Sequence, residues 1–308
     1  MSLTFQDVAA LWKAEKRQYV KISSYAIYVH LLNRHLLPYF ADRTDFEPRD
    51  VQDLIHAELA AGMSPKTVRD SLLVLKMILR YGTGIGAWKA IEFRAHFPTS
   101  AERRRELPLL TQSQQKQLLN HLTTHFSFRN LGLLICLHSG LRIGEVCGLQ
   151  WKDLDLVSGE IHVRKTVSRI CLNDGNDKAY ELRIGTPKTP SSVRDIPMSK
   201  ALLALIRPLR KVMDPEFYIA SNAADPIEPR YYREYFHRVL AQLGIPRVRF
   251  HALRHSFATR CIESRCDYKT VSVILGHATI STTLDLYVHP GHSEKQKCIE
   301  RMWKGLGK

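Results

Sequence analysis

The second half of the chain holds residues whose types suit cutting and rejoining a phosphodiester. His251 and Arg254 lie in HALRHSFATR, and His277 and Tyr287 in LGHATISTTLDLY. Upstream, Arg142 lies in SGLRIGEVCGL and Lys188 in GTPKTPSSVRDIP. A phosphodiester transition state carries charge on its non-bridging oxygens, which two guanidinium forks can clamp. A tyrosine hydroxyl can attack phosphorus and hold the strand end covalently. A lysine can protonate the departing 5′ oxygen, and a histidine can take the phenol proton. No acidic triad accompanies these residues, and cations can stand in for a two-metal clamp. No metal and no cofactor are therefore expected.

Each residue also has a plainer reading: Arg142 and Arg254 as surface or salt-bridged arginines, Lys188 as a solvated lysine. Arg142 follows Gly140 at the start of a helix, whose N-terminus favours an anion. Glu145, three residues on, shares its helix face; it can orient the guanidinium or be simply a helix residue. Lys188 must lose a proton, so its pKa should fall beside two arginines. Lys178, in the polar loop NDGNDKAY, is a weaker alternative. His251 and Arg254 are three apart and share a face. His251 and His255 have the spacing of a zinc motif, but Ala252 stands where a metalloprotease needs glutamate. His255 reads as a buried structural histidine. His277 follows Gly276 at a helix end, where a capping histidine also fits. Tyr287 ends STTLDLY, just before VHPG breaks the helix; otherwise a tyrosine in an apolar segment is a core residue.

Helices must position most of this set. Residues 1–95 read as all helix, beginning with a Thr4 cap. A second helix runs from near Ile22 to Leu37 and stops at Pro38. A third follows Pro48 and ends at Gly62. Ser64 caps a fourth, with Pro65 in its first turn and Gly82 as its terminator. That helix has an apolar face through Val68, Leu72, Leu75, Ile78 and Leu79, and a basic face with Lys66, Arg69, Lys76 and Arg80. Residues 96–107, with Pro98 and the run Arg103, Arg104 and Arg105, read as a linker. From 108 to 308 the pattern is mostly helical. GEIHVRKTVSRI, AYELRIG and VRDIPM read as strands, and TPKTPSS is a turn placing Lys188 at a hairpin tip.

The chain has 308 residues, enough for two domains, with 44% hydrophobic residues. A net charge of +15 and a pI near 9.6 point to a polyanion, nucleic acid or a membrane surface. No apolar run is long enough to span a membrane, and the N-terminus lacks a signal pattern. The six cysteines read as reduced, mostly buried thiols. Cys261 and Cys266 form the closest pair, without a second ligand pair at zinc spacing. These features suit a cytoplasmic protein.

The three motifs, in this order and with a lysine-bearing segment between them, resemble the tyrosine recombinase (phage integrase) family over nearly the whole chain. The resemblance implies a helical core-type DNA-binding domain over 1–95, a linker over 96–107, and an α+β catalytic domain with a C-terminal tail helix over 108–308. The fold class is thus mainly α with a small antiparallel sheet. It implies a phosphate clamp of Arg142 and Arg254, Lys188 as general acid and His251 in acid/base work. His277 would be a second phosphate hydrogen-bond donor and Tyr287 the nucleophile. Lys66, Arg69 and Lys76 are the candidates for DNA contact in the first domain, and Arg103, Arg104 and Arg105 in the linker. The implied partners are double-stranded DNA at specific sites and further copies of the chain. The protein would be a homotetramer on DNA and a monomer or weak oligomer without it, with room for accessory DNA-bending proteins. A type IB topoisomerase-like relaxing enzyme shares the catalytic set, and a DNA-binding regulator with vestigial chemistry is a third reading. After Tyr287, Cys298, Ile299, Met302 and Trp303 line one side of a short helix. They pack on their own domain or, as the resemblance implies, on a neighbouring protomer.

Overall fold

The computed structural model describes residues 3–98, 109–173, 178–187, 189–287 and 292–306. The chain divides into two compact units, Met1–Arg105 with Ile170–Glu181, and Glu106–Arg169 with Leu182–Lys308. Among the described residues helices dominate, with two small sheets. Among the described residues no helix is long and apolar enough to cross a membrane.

The first unit is built from α1 (Phe5–Lys16), α2 (Ile22–Leu31), α3 (Leu37–Phe40), α4 (Pro48–Ala60) and α5 (Pro65–Gly84). Local chemistry starts several of them. The Thr4 hydroxyl accepts the Asp7 amide at 3.3 Å, and the Asp7 carboxylate accepts the Thr4 amide at 3.0 Å. The Ser64 hydroxyl accepts the Thr67 amide at 3.1 Å at the head of α5. The apolar face of α5 is buried as the spacing requires, with Val68, Leu72, Leu75, Ile78 and Leu79 in the core against Phe5, Val8 and Trp12 of α1.

Two expected helix ends lie elsewhere. Pro38 does not stop the second helix. A π-helical turn over Leu32–Leu36 precedes it, and the proline then occupies the first turn of α3, where an amide N–H is not needed. Gly82 does not terminate α5, which continues to Gly84. It is a socket instead: a Cβ there would lie 2.1 Å from Cζ2 of Trp88. The Trp88 indole N–H donates to the Leu79 carbonyl at 3.0 Å.

The second unit begins with α6 (Gln112–Thr124), capped by Thr111, and α7 (Phe128–Ser139), capped by Ser127. α7 is buried along most of its length, and Gly140 ends it in the left-handed conformation, φ +65°. α8 (Ile143–Cys147) follows directly. β1 (Leu154–Asp155), β2 (Glu160–Val163), β3 (Thr166–Asn173), β4 (Lys178–Gly185) and β5 (Arg194–Pro197) come next, with the parts of β3 and β4 within Ile170–Glu181 counted in the first unit. α9 (Lys200–Arg210), α10 (Pro229–Gln242), α11 (His251–Glu263), α12 (Tyr268–Leu275), α13 (Ile280–Tyr287) and α14 (His292–Gly305) complete the order. The core gathers Leu133, Ile135, Trp151, Ile161, Ile196, Ile206, Tyr232, Phe236 and Leu253.

The strands pair differently from the sequence expectation. GEIHVRKTVSRI is two strands, β2 and β3. β4 pairs with β3, whereas β5 pairs antiparallel with β2, in the order β1-β2-β5. The segment after β4 therefore crosses from one sheet to the other and is not a hairpin tip. The register Ile161↔Ile196 puts both isoleucines in the core, a non-local gain that alternation along one strand does not reveal. Lys188 itself lies outside the described residues, as do Arg103, Arg104 and Arg105. Among the described cysteines only Cys136 and Cys147 are buried, fewer than expected; Cys266 is exposed.

Candidate active site

Two glycine-ended helices bring the proposed clamp together. Gly140 closes α7, and Gly276, φ +65°, closes α12. Arg254, on the first turn of α11, donates to the Gly140 carbonyl at 3.0 Å and to the Leu275 carbonyl at 2.6 Å. Arg142, heading α8, donates to the carbonyl of the very next residue, Gly276, at 3.2 Å. Both guanidiniums thus converge on successive carbonyls at the end of α12, immediately before His277. A side chain at Gly276 would not fit: its Cβ would lie 2.8 Å from the Ser191 carbonyl oxygen.

The two arginines differ in setting. Arg254 is 1% exposed, a floor to the site. The Arg142 side chain is 34% exposed and is the cation that meets solvent. Glu145 orients it, accepting from Nη1 at 2.7 Å and from the Arg142 amide at 2.9 Å. The same carboxylate, 3% exposed, takes a forked contact from Arg194, at 3.1 and 3.0 Å. Burial pushes the Glu145 carboxyl pKa up, but Arg194 and then Arg142 more than offset this and hold it below the ordinary value.

The histidines sit in this cationic field. His251 opens α11, and burial, then His255, Arg254 and Arg142, lower its pKa to about 4. His277 is lowered to about 4 by burial and by Arg254, Arg142, His251 and Arg194. Both are neutral near pH 7. His277 Nδ1 lies 2.8 Å from Oγ1 of Thr283, which is fully buried on α13. Tyr287 is the last residue of α13, one helical turn beyond Thr283. His255 is buried, edge-on to His251 at 4.5 Å between ring centroids.

Arg194 and Thr283 were not singled out in the sequence. A signal for Arg194 existed: it alternates with Ile196 in VRDIPM, and β5 shows buried–exposed alternation starting from Arg194. The α5 candidates lie in the other unit. Lys66 pairs with Asp70 at 2.9 Å, Arg69 stands over the Phe97 ring at 4.6 Å, and Lys76 over Phe93 at 5.0 Å.

Chemically, the second unit offers a solvent-facing guanidinium backed by a buried one, two neutral imidazoles, and a helix ending in a tyrosine. Such a set can hold a phosphate diester and move a proton beside it.

The profile of the phage integrase family matches residues 108–294, and that of the phage integrase N-terminal SAM-like domain matches residues 4–59. A tyrosine recombinase XerC-like protein of Caldanaerobacter subterraneus subsp. tengcongensis is 28% identical over 186 residues, 55% of this chain. The chain spans about half that relative's length, 47%. The ICEBs1 integrase of Bacillus subtilis is 24% identical across 98% of this chain and 83% of its own. Among solved structures, the Tn1549 transposon integrase in complex with a circular intermediate DNA superposes with a TM-score of 0.75. It is 23% identical and covers 98% of this chain and 100% of that one. A lambda integrase dimer bound to a core site gives a TM-score of 0.67 at 14% identity, covering 94% and 97%. These two likenesses show the fold. With the family profile spanning well over half of its residues, the chain belongs to the phage integrase family.

Proposed function

We propose that this chain is a site-specific DNA recombinase that cuts and rejoins strands through a phosphotyrosyl link at Tyr287. The observation that carries the reading is the meeting of Arg142 and Arg254 on consecutive carbonyls beside His277. The Tyr287 oxygen attacks the scissile phosphorus, forming an O–P bond to the 3′ side and breaking the bond to the 5′ oxygen. His251, neutral near pH 7, takes the phenol proton. Lys188 gives a proton to the departing 5′ oxygen. Arg142 faces the non-bridging oxygens, with Arg254 beneath it. When the Thr283 hydroxyl donates to His277 Nδ1, the ring carries its proton on Nε2 and donates it to the phosphate. A 5′ hydroxyl from a partner duplex reverses the step. The covalent link conserves the bond energy, so each cut strand can be resealed.

In this reading residues 1–95 are a core-type DNA-binding domain, 96–107 a linker and 108–308 the catalytic domain. The two family matches, at 4–59 and 108–294, support that division. The basic face of α5 and the linker arginines Arg103, Arg104 and Arg105 contact the DNA backbone. Integration or excision of a mobile element is the task, supported by the alignment with the ICEBs1 integrase along nearly the whole chain. The working form is a homotetramer on two sites, with accessory DNA-bending proteins admitted. A lambda integrase tetramer bound to a Holliday junction shares the fold at a TM-score of 0.66. Its place of work is the cytoplasm, on the nucleoid.

The test is covalent trapping on nicked duplexes carrying candidate sites. The unaltered protein should form a denaturant-resistant adduct and Tyr287→Phe should bind without forming one. An adduct from Tyr287→Phe would remove Tyr287 as nucleophile. Relaxation of supercoils at any sequence would favour a topoisomerase instead.

A further inference from the structure

Arg194 has no part in the clamp, yet it is among the most completely engaged side chains in the second unit. It is 7% exposed at the head of β5. Its Nε donates to the Ile274 carbonyl at 2.5 Å, and Nη1 to the Ser192 carbonyl at 3.0 Å. Nη1 and Nη2 together fork onto both oxygens of Glu145. Glu145 oxygens are also the acceptors for Arg142, so one buried carboxylate serves two guanidiniums. The formal sum over the three groups is one positive charge. Without Arg194 it is zero, and the Arg142 charge is cancelled where a phosphate would need it.

Position is fixed along with charge. Ile274 closes the last turn of α12, and its neighbours Leu275 and Gly276 hold Arg254 and Arg142. Ser192 lies in the segment that begins just after Lys188. One side chain therefore ties together Glu145, the end of α12 and the start of β5.

We propose that Arg194 is a positioning residue for strand cleavage: it neutralises Glu145 and pins the end of α12, leaving Arg142 with uncompensated charge for the scissile phosphate. The proposal rests on the recombinase reading above. It differs from simple structural support in one respect. If Arg194 acts by cancelling Glu145, then removing the Glu145 charge must repair the loss of Arg194.

The experiment is a four-member cycle of unaltered protein, Arg194→Gln, Glu145→Gln and the double variant. Adduct formation on a nicked duplex is measured at saturating protein, and affinity for the same duplex separately. Arg194→Gln should slow adduct formation by about 100-fold, the scale of losing one transition-state donor, with little change in affinity. Adding Glu145→Gln should recover about tenfold of that loss, a coupling expected for groups in direct contact. A double variant as slow as Arg194→Gln, or slower, overturns the proposal, as does an affinity loss equal to the loss in rate. If Arg194→Gln does not fold, Arg194→Lys, which keeps the charge, is compared with Arg142→Ala. A rate well above that of Arg142→Ala supports the proposal, and an equal rate overturns it. No adduct from the unaltered protein would sink the recombinase reading itself, whereas an adduct without rescue sinks only the role of Arg194.

Discussion

Arg142 and Arg254 share a clamp but not an environment, and alanine should separate them. Arg254→Ala strips donors from two carbonyls, Gly140 and Leu275, both on buried residues. Each orphaned group costs about 1–3 kcal/mol, so about 2–6 kcal/mol in all. That is a large share of the roughly 5–15 kcal/mol that holds an ordinary domain together. Arg142→Ala removes one carbonyl contact and one ion pair, and about a third of its side chain already meets water. Screening leaves that loss at about 1–2 kcal/mol, and Glu145 keeps Arg194 as partner. Both variants should lose transition-state stabilisation of about 2.7–4 kcal/mol, but only Arg254→Ala should also lose much of the fold. Urea unfolding followed by circular dichroism measures the first quantity, and adduct yield on a nicked duplex at low temperature the second. A midpoint for Arg254→Ala equal to that of the unaltered protein would refute the idea that its guanidinium holds the two helix ends together. Equal destabilisation by both variants would refute the distinction.

Three further outcomes are expected. Gly82→Ala gains helix propensity of about 1 kcal/mol but drives a methyl into the Trp88 indole, an overpacking cost of about 1–3 kcal/mol; it should lower the urea midpoint, and a raised midpoint would refute the socket. Burial and the neighbouring cations lower the pKa of His251 and His277 to about 4 in the folded chain, against about 6.5 for a free imidazole, so the unfolded chain takes up protons first as pH falls. Stability should therefore be full above pH 6.5 and decline between 6.5 and about 4; urea midpoints flat across that window would show that burial and the neighbouring cations do not depress the two histidines. Deleting the chain from Ser293 should spare binding to one site and abolish assembly on two-site DNA, because Ile299, Met302 and Trp303 on α14 are left largely exposed; sedimentation showing a normal tetramer would refute this.

What could be read in the sequence was local. Thr4, Ser64 and Thr111 announce helix starts because each cap is satisfied within three residues. Gly140 and Gly276 announce helix ends because few other residues accept a left-handed backbone. The motif spacings placed Arg142 beside Glu145, and His251 beside Arg254. The misreadings involve distant partners. Pro38 is accommodated by a π turn before it, and Gly82 answers to Trp88, which lies beyond the end of the helix. The second strand of VRDIPM is β2, about 30 residues upstream, so the Lys188 segment links two sheets. Alternation with Ile196 marks Arg194 as inward-facing, but its fit to Glu145, 49 positions away, is what reveals its role. Thr283 could not be linked to His277 until the turn between α12 and α13 was in view.

The exposed face of α14 has an optical consequence. The chain contains four tryptophans, and their surroundings differ sharply. Trp12 and Trp151 are sealed in the two cores, and Trp88 is held by its indole bond to Leu79, whereas Trp303 is 50% exposed. A water-soluble quencher such as acrylamide will reach Trp303 first, and its emission will be the reddest of the four. Any event that covers α14 shields that one fluorophore and shifts its light to the blue. Burial of that face by a partner can thus be followed in real time by the natural fluorescence of the protein, with no label attached.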